Sequence, residues 1–505
     1  MAQAAREGDT VEAVADDDGL ARFASVDPRT GETVAHHPVH DAERVADAVA
    51  AARTAAAWWA GLGFTGRKER LDSWRKLIVG RLEEGAGLVS AETGKPAADA
   101  KMELVAAVGH LHWAARNAER VLRRRKVPSG LLMSNQAASV EYLPLGVIGV
   151  IGPWNYPVFT PMGSIGYGLA AGNAVVFKPS ELTPGVGVWL ADTFAEVVPE
   201  HPVLTVVTGF GETGAALCRS GLDKLAFTGS TATAKRVMAA CAETLTPVLV
   251  ECGGKDALIV DYDADVRAAA DAAVWGAMSN AGQTCVGIER VYVVDDVADE
   301  FVGEVTRIAS RLKPGGEPSA DFGPITMPAQ VDIIRSHVSD AVDRGARAVV
   351  GGPESVRPPF VEPVVLLDVP EDSSAIMEET FGPTVTINRV RDADEAIRLA
   401  NASRYGLGGA VFAKSRGEEL ARRMHTGMVS VNSVNAFASV PSLPFGGVGD
   451  SGFGRIHGED GLREFTRPQA VTRKRFASPL NPMTFSRTSS TIRRLMSLVR
   501  LKYGR

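Results

Sequence analysis

The sequence predicts an α/β protein built on a doubly wound, largely parallel sheet, followed by a second α/β domain. Three observations carry this. From Gly146 onward, short Val/Ile-rich runs alternate with helical stretches, the pattern of strands buried on both faces between crossover helices. After Gly254 the alternation starts again with a new set of strands. Finally, 505 residues exceed what a single hydrophobic core usually serves, so two or three domains are expected.

Residues 1–20 hold Glu12 and Asp16–Asp18 without an apolar stretch, and read as a disordered acidic tail rather than a secretory signal. Residues 22–35 read as a hairpin around Asp27-Pro28-Arg29-Thr30-Gly31. Asp41 is placed to cap an Ala-rich helix running to about Trp59. Helical stretches follow over 67–92 and 96–124, and 136–145 looks extended. The first alternation supplies strands Val147–Ile151, Ala174–Phe177, Val203–Val207, Lys224–Phe227 and Pro247–Val250. The second supplies Ala257–Val260, Val291–Val294, Ala348–Val350, Val364–Leu367, Val385–Ile387, Gly409–Phe412 and Met428–Val431. Helices near 264–281, 296–311, 328–344, 393–401 and 415–425 separate these. Tyr142 to Phe177 has no charged residue, but Pro144, Pro153, Pro157 and Pro161 interrupt it, which favours buried strands and turns over a membrane span.

Composition narrows the function. Net charge is −6, with a pI of about 5.9, giving no reason to expect a nucleic-acid partner. The four cysteines, Cys218, Cys241, Cys252 and Cys285, form no CxxC pair and no zinc pattern, so no metal is expected. Scattered thiols in a large chain fit a reducing, cytoplasmic compartment. From Ala470 to Arg505 there are nine Lys/Arg and no acid. Ile492, Leu495, Met496, Val499 and Tyr503 recur there at helical spacing, so 480–505 reads as a short basic amphipathic tail. Such a tail docks on protein or lies on a membrane surface.

Several loops carry candidate chemistry. Gly282-Gln283-Thr284-Cys285 presents a cysteine in a turn after a helix, where a positive field can activate the thiol. Glu251, in Glu251-Cys252-Gly253-Gly254-Lys255, follows a strand and is a candidate general base beside two glycines that allow close ligand approach. Asn155, between Pro153 and Pro157, offers a neutral N–H donor suited to a transient oxyanion. Lys178-Pro179-Ser180-Glu181 ends the second strand, where ribose hydroxyls are met, and the acidic Glu181 favours NAD over NADP. Gly229-Ser230 opens a helix after a strand, a ready pyrophosphate site. Gly209 to Gly214 matches GxGxxG, yet follows the third strand rather than the first.

Taken together, PWNYP, KPSE, FTGST, ECGGK, GQTC, EETFGP and PFGG, in this order, resemble the aldehyde dehydrogenase superfamily over roughly residues 22–475. The resemblance implies Cys285 as nucleophile, Glu251 as general base and Asn155 as oxyanion-hole donor. It implies cofactor contacts from Ile151, Pro153, Trp154, Lys178, Ser180, Glu181, Gly229, Ser230, Gly253, Glu379 and Phe381. It implies a Rossmann-like NAD-binding domain (21–125 and 146–252), a catalytic domain (253–445) and a small β arm (126–145 and 465–478) that makes homodimers or homotetramers. Hydrolysis of a thioester to free acid is implied, since CoA-acylating relatives generally lack the base. Two departures stand out: Cys252 where the base motif usually has Leu, and Ala234 where the phosphate turn usually has Gly.

For the substrate, the stretch from Pro444 to Gly458 resembles class 3 enzymes, which favour medium- or long-chain and aromatic aldehydes and in some cases carry a C-terminal membrane anchor. Gly287-Ile288-Glu289-Arg290 resembles bacterial succinate-semialdehyde dehydrogenases. The tunnel candidates Val158–Gly168, Thr284, Val286 and Val434–Ala438 are uncharged, and a buried carboxylate without a partner is costly. An apolar aldehyde is therefore expected, possibilities otherwise being succinate semialdehyde, with Arg290 or Arg455 as its cation, or a fatty aldehyde taken at a membrane surface.

Overall fold

The computed structural model describes residues 14–15, 21–317, 319–478 and 480–504. Packing divides the chain into two compact units, Met1–Val121 with Pro144–Thr466, and Leu122–Leu143 with Arg467–Arg505. Most of the acidic tail expected over 1–20 lies outside the described residues. Val14–Ala15, however, pair antiparallel with Arg22 and Ala21 as a short edge strand, in place of the disorder expected there.

The larger unit holds two main sheets. The first has six strands in the order Gly452–Phe453, Val248–Glu251, Lys224–Thr228, Val147–Ile151, Ala174–Lys178, Leu204–Val206. All pairs are parallel except Gly452–Phe453 against Val248–Glu251. The chain starts at Val147–Ile151, winds outward one way, and returns to Lys224–Thr228 on the other side. The order thus reverses between those two strands, which is where open α/β sheets bind ligands.

The second sheet has seven strands: Arg347–Val350, Val364–Leu367, Thr384–Val390, Ile288–Val294, Asp256–Val260, Gly409–Phe412, Ser430–Val431. Only Arg347–Val350 runs antiparallel. Alternate residues feed opposite layers, as the strand period of two requires. Leu258 and Val260 enter one apolar core, Ala257 and Ile259 the other.

Local chemistry explains the ends of the elements. Asp27 O accepts the Thr30 and Gly31 amides (3.2 and 2.7 Å), closing the first hairpin. Asp41 accepts the Arg44 amide at 2.9 Å and caps helix Ala42–Gly61. The single helix expected over 67–92 is two, Gly63–Gly80 and Leu82–Thr93, because Arg81 leaves helical geometry (φ −112°, ψ 27°) after Gly80. The smaller unit carries a three-stranded sheet, Thr466–Lys474, Gln136–Pro144 and Arg125–Val127 in that order, and the C-terminal helix Ser489–Tyr503. Among the described residues no helix is long and apolar enough to cross a membrane.

Candidate active site

Only residues 252–255 separate the last parallel strand of the first sheet from the first strand of the second. The C-terminal ends of the first sheet's strands therefore meet the N-terminal ends of the second's. Glu251 ends its strand, whereas Cys285 and Glu379 each lie a few residues before one, ahead of Ile288–Val294 and Thr384–Val390. Strand C-termini alone would have located Glu251 and not the thiol.

Cys285 Sγ donates to Glu251 Oε1 at 3.4 Å. The other oxygen of Glu251 accepts from Thr228 Oγ1 at 3.5 Å. Burial pushes the Glu251 carboxyl up to about 7, against the opposing pull of these two donors. Burial also raises the Cys285 thiol well above its ordinary value, reinforced by Glu251 and, further off, Glu379 and Asp256. The pair accordingly rests as a neutral thiol hydrogen-bonded to a carboxyl that titrates near neutrality.

The turn before Cys285 is unusual. Asn280, Ala281 and Gly282 all have positive φ (53°, 56° and 71°), and a Cβ on Gly282 would lie 2.0 Å from Gly382 O. Two non-glycine residues there hold strain that must be over-determined by contacts. Gln283 supplies these contacts: its Nε2 donates to Asn280 O and Pro324 O (3.0 and 3.1 Å), and its Oε1 accepts the Thr326 amide at 2.8 Å. Asn155 is buried and donates through Nδ2 to Gln283 O at 3.0 Å, which leaves its second N–H. Tyr156 hydroxyl bonds Thr284 Oγ1 at 3.0 Å.

A cavity of about 500 Å³ opens from Cys285 and Glu251. Its walls include Phe159, Val274, Met278, Phe322, Phe445 and Ile456, and Met102 and Trp275 stand exposed around it. Asp99, Asp271 and Asp321, all exposed, belong to the same lining. Lys95 corrects the expectation of an uncharged tunnel. It is the cation among the described lining residues, and it is already engaged: Nζ donates to Glu103 Oε2 (2.7 Å) and Asn155 O (2.8 Å), and lies 4.2 Å from the Tyr156 ring centre. Glu103 in turn accepts the Val158 and Phe159 amides at the start of helix Phe159–Ala171. Arg290 and Arg455 do not line the cavity. Arg290 donates to Lys255 O and Ala400 O, and Arg455 to Gly447 O and Gly454 O.

On the other side of Glu251 stand the residues expected to hold a cofactor. Ile151 ends the strand at the switch point, with Pro153 and Trp154 just beyond it. Across the same switch point, Gly229 precedes Ser230, which caps helix Thr231–Ala242 by accepting the Thr233 amide at 3.3 Å. Lys178 is buried, donates to Pro179 O at 3.0 Å and lies 3.9 Å from the exposed Glu181 carboxylate. Ser180 Oγ accepts the Leu182 amide at 3.2 Å. The Trp154 and Phe381 rings meet edge-on with centres 5.6 Å apart. Glu379 is partly buried between these elements. It lies over the glycine pair, accepting the Gly254 amide at 3.1 Å, and a Cβ on Gly253 would come within 2.1 Å of its oxygens. Burial pushes it up to about 8. The Gly209–Gly214 turn follows the edge strand, and a Cβ on Gly214 would lie 3.6 Å from the Lys178 side chain and 3.8 Å from that of Ile151. The departures Cys252 and Ala234 are both buried. A glycine cradle, a capped helix N-terminus and a Lys/Glu pair at neighbouring strand ends fit a dinucleotide.

Sequence reasoning missed a buried support network. Lys255 pairs with Glu289, which accepts the Thr380 and Phe381 amides, so the loop before Thr384–Val390 is fixed from inside. It also missed Asp256, fully buried and pushed up to about 8, with one oxygen accepting the Gly408 amide and the other unpartnered. Ser451 Oγ donates to Gly253 O at 2.7 Å, so the Phe445–Gly454 motif holds the loop that follows Glu251. Among the described residues no cluster of three or more His, Cys, Asp or Glu could hold a metal ion.

Comparison with known proteins agrees with this architecture. The aldehyde dehydrogenase family model matches residues 14–471. The chain is 35% identical to 4,4'-diapolycopene aldehyde oxidase of Methylomonas sp over 489 residues, covering 96% of this chain and 92% of that one. It is 37% identical to a putative succinate-semialdehyde dehydrogenase [NADP(+)] of Mycobacterium ulcerans, covering 92% of each. Among solved structures, PnpE from Pseudomonas sp. WBC-3 in complex with nicotinamide adenine dinucleotide superposes with a TM-score of 0.87 at 32% identity, covering 93% of this chain and 97% of that one. Lactaldehyde dehydrogenase from Escherichia coli gives 0.86 at 29%, covering 90% and 96%.

Proposed function

Because the chain belongs to the aldehyde dehydrogenase family, we propose that it oxidises an apolar aldehyde to the free carboxylic acid with NAD, through a thioester on Cys285. The observation that carries this is the 3.4 Å contact between Cys285 Sγ and Glu251 at the head of an apolar-walled cavity with carboxylates in its lining.

In this reading Glu251 takes the thiol proton, and the sulfur of Cys285 bonds to the aldehyde carbon. The carbonyl oxygen becomes an oxyanion beside the second N–H of Asn155, a donor that does not give up its proton. NAD, when bound, would supply the acceptor for the hydride that the carbon must lose. Ile151, Pro153, Trp154 and Phe381 would border it, Lys178, Ser180 and Glu181 its adenosine ribose, Gly229 and Ser230 its pyrophosphate, and Gly253 and Glu379 the nicotinamide side. Glu251, once it has released its proton, draws one from water, whose oxygen attacks the thioester carbon. The C–S bond breaks, the acid leaves, and the sulfur is restored. Since Glu251 supplies the water step, turnover requires no CoA.

The apolar substrate rests on electrostatics. A substrate carboxylate would meet Asp99, Asp271 and Asp321, and Lys95 is already matched to Glu103. Desolvating that carboxylate without a new partner is unfavourable. The relative named for a diapolycopene aldehyde is consistent with a hydrocarbon substrate. NAD is preferred over NADP in this reading because exposed Glu181 would repel a 2′-phosphate, although several relatives are named for NADP. The three-stranded sheet of the smaller unit is the proposed dimer or tetramer surface, and four thiols outside any disulfide suit a cytoplasmic location.

The test is NADH or NADPH formation with hexanal, decanal, benzaldehyde and succinate semialdehyde, with each coenzyme and without CoA, beside Cys285→Ala. We expect apolar aldehydes to lead by about tenfold or more in kcat/KM, roughly 1.4 kcal/mol of transition-state binding, and Cys285→Ala to be inactive. A lead by succinate semialdehyde would mean that Lys95 is released to the substrate.

A further inference from the structure

Beyond residue 471, where the family match ends, the chain continues into a basic segment that the catalytic reading does not use. Helix Ser489–Tyr503 has no buried residue. At 100° per residue, Ile492, Leu495, Met496, Val499 and Tyr503 fall within one face. Arg493 and Arg500 flank that face on one side and Lys502 on the other. Phe485 (105% exposed) and Met483 (69%) extend the apolar surface just ahead of the helix. Arg487 extends the positive charge, and no acid occurs anywhere from Ala470 to Arg505.

We propose that residues 480–504 dock this protein on an anionic lipid surface, with helix Ser489–Tyr503 lying in the plane of the interface. The length excludes crossing: 15 residues rise only about 22 Å. The charge pattern selects the occupant. Cations on both flanks of an apolar face are placed to reach up to phosphate groups while the face enters the acyl boundary. Fifteen residues are near the lower limit for a stable isolated helix, and a bilayer surface supplies the missing apolar partner. A run of cations without one acid is attracted to an anionic leaflet, and the attraction grows with each Lys or Arg near it. This inference does not rest on the identity of the substrate.

The full chain is floated on a density gradient with phosphatidylcholine vesicles, with and without phosphatidylglycerol, at low and high salt. We expect flotation only with the anionic vesicles, reversed by salt. Two variants follow, Arg493→Glu/Arg494→Glu/Arg500→Glu and Leu495→Ser/Val499→Ser. Each should bind anionic vesicles roughly tenfold more weakly or worse, while oxidising a water-soluble aldehyde at the wild-type rate. Wild-type protein that does not float, that floats equally with both vesicles, or that keeps floating after charge reversal overturns the proposal. Light scattering covers the competing occupant. If the variants change the mass of the oligomer and the wild type fails to float, the helix docks on a second copy instead.

Discussion

Glu251 holds its proton close to neutrality because it is buried without a cation, and this sets how the site responds to pH. With its carboxyl near 7, the base form grows as pH rises through that value. The hydrolytic step should therefore accelerate with pH and level off above about 7. Glu251→Gln should remove that limb and slow turnover by about 10²–10⁴, with Cys285 staying unmodified in intact-mass spectra because its thiol has lost its proton acceptor. Acyl-enzyme accumulating on Cys285 would instead confine Glu251 to the water step. Asp256 carries the same physics in a structural setting. Its carboxyl is raised by burial from about 4 in an unfolded chain to about 8. Its stabilising contribution is thus complete below the unfolded value and lost as pH rises through the folded one. Asp256→Asn keeps an acceptor for the Gly408 amide and cannot ionise. Its melting temperature should match the wild type below pH about 4, pull ahead as pH rises, and lead by the full amount above about 8, measured by scanning fluorimetry. Residue types at this scale were largely readable from the sequence: GQTC, ECGGK and PWNYP located the thiol, the carboxyl and the amide. Lys95 was not, because nothing local to Gly94-Lys95-Pro96 says that its ammonium reaches Glu103 and Asn155 O.

At the level of elements, the site depends on a turn and a tether. The turn Asn280–Gly282 delivers Cys285 only while Gly282 stays left-handed against Gly382. Gly282→Ala should cost about 1–3 kcal/mol in strain and lower kcat/KM by roughly 10²-fold through displacement of the thiol. Retained activity with an unchanged melting temperature would show that the loop can yield. The tether is the Lys95–Glu103 pair, whose side chains are 2% and 1% exposed. Lys95→Met strands a buried carboxylate and should cost about 3–5 kcal/mol, with partial recovery in Lys95→Met/Glu103→Gln. A double variant no more stable than the single would mean that the ammonium matters for its bond to Asn155 O instead. Periodicity and caps made most elements legible, down to Val364–Leu367 and Gly409–Phe412 at their observed ends. Arg81 was harder to foresee: the break between the second and third helices is a backbone departure at one residue, and the flanking apolar spacing continues across it.

Across the whole molecule, a doubly wound sheet and a second α/β sheet follow from alternation alone. What alternation could not show is how the two sheets share a site. Strand order is a long-range property, and two-residue strands such as Gly452–Phe453 carry no periodic signal. The short run from Cys252 to Lys255 was visible as a glycine-rich link, but its meaning, the carboxyl ends of one sheet turned toward the amino ends of the other, required the topology. The motif from Pro444 to Gly458, used above to judge the substrate, braces the loop that follows Glu251 through Ser451.

That last strand has a consequence for how the protein is made. Val248–Glu251 pairs on one side with Lys224–Thr228 and on the other with Gly452–Phe453, where Gly452, at φ +97°, passes so close to Val250 O that a side chain has no room. A ribosome must therefore release the chain through Phe453 before the strand bearing Glu251 gains its second neighbour. Until then it is a naked sheet margin, able to recruit another nascent chain. The pairing of Gly452–Phe453 clasps Glu251's strand from its open side, so a translation product interrupted between Cys285 and Gly452 would carry the thiol yet leave beside it an adhesive border.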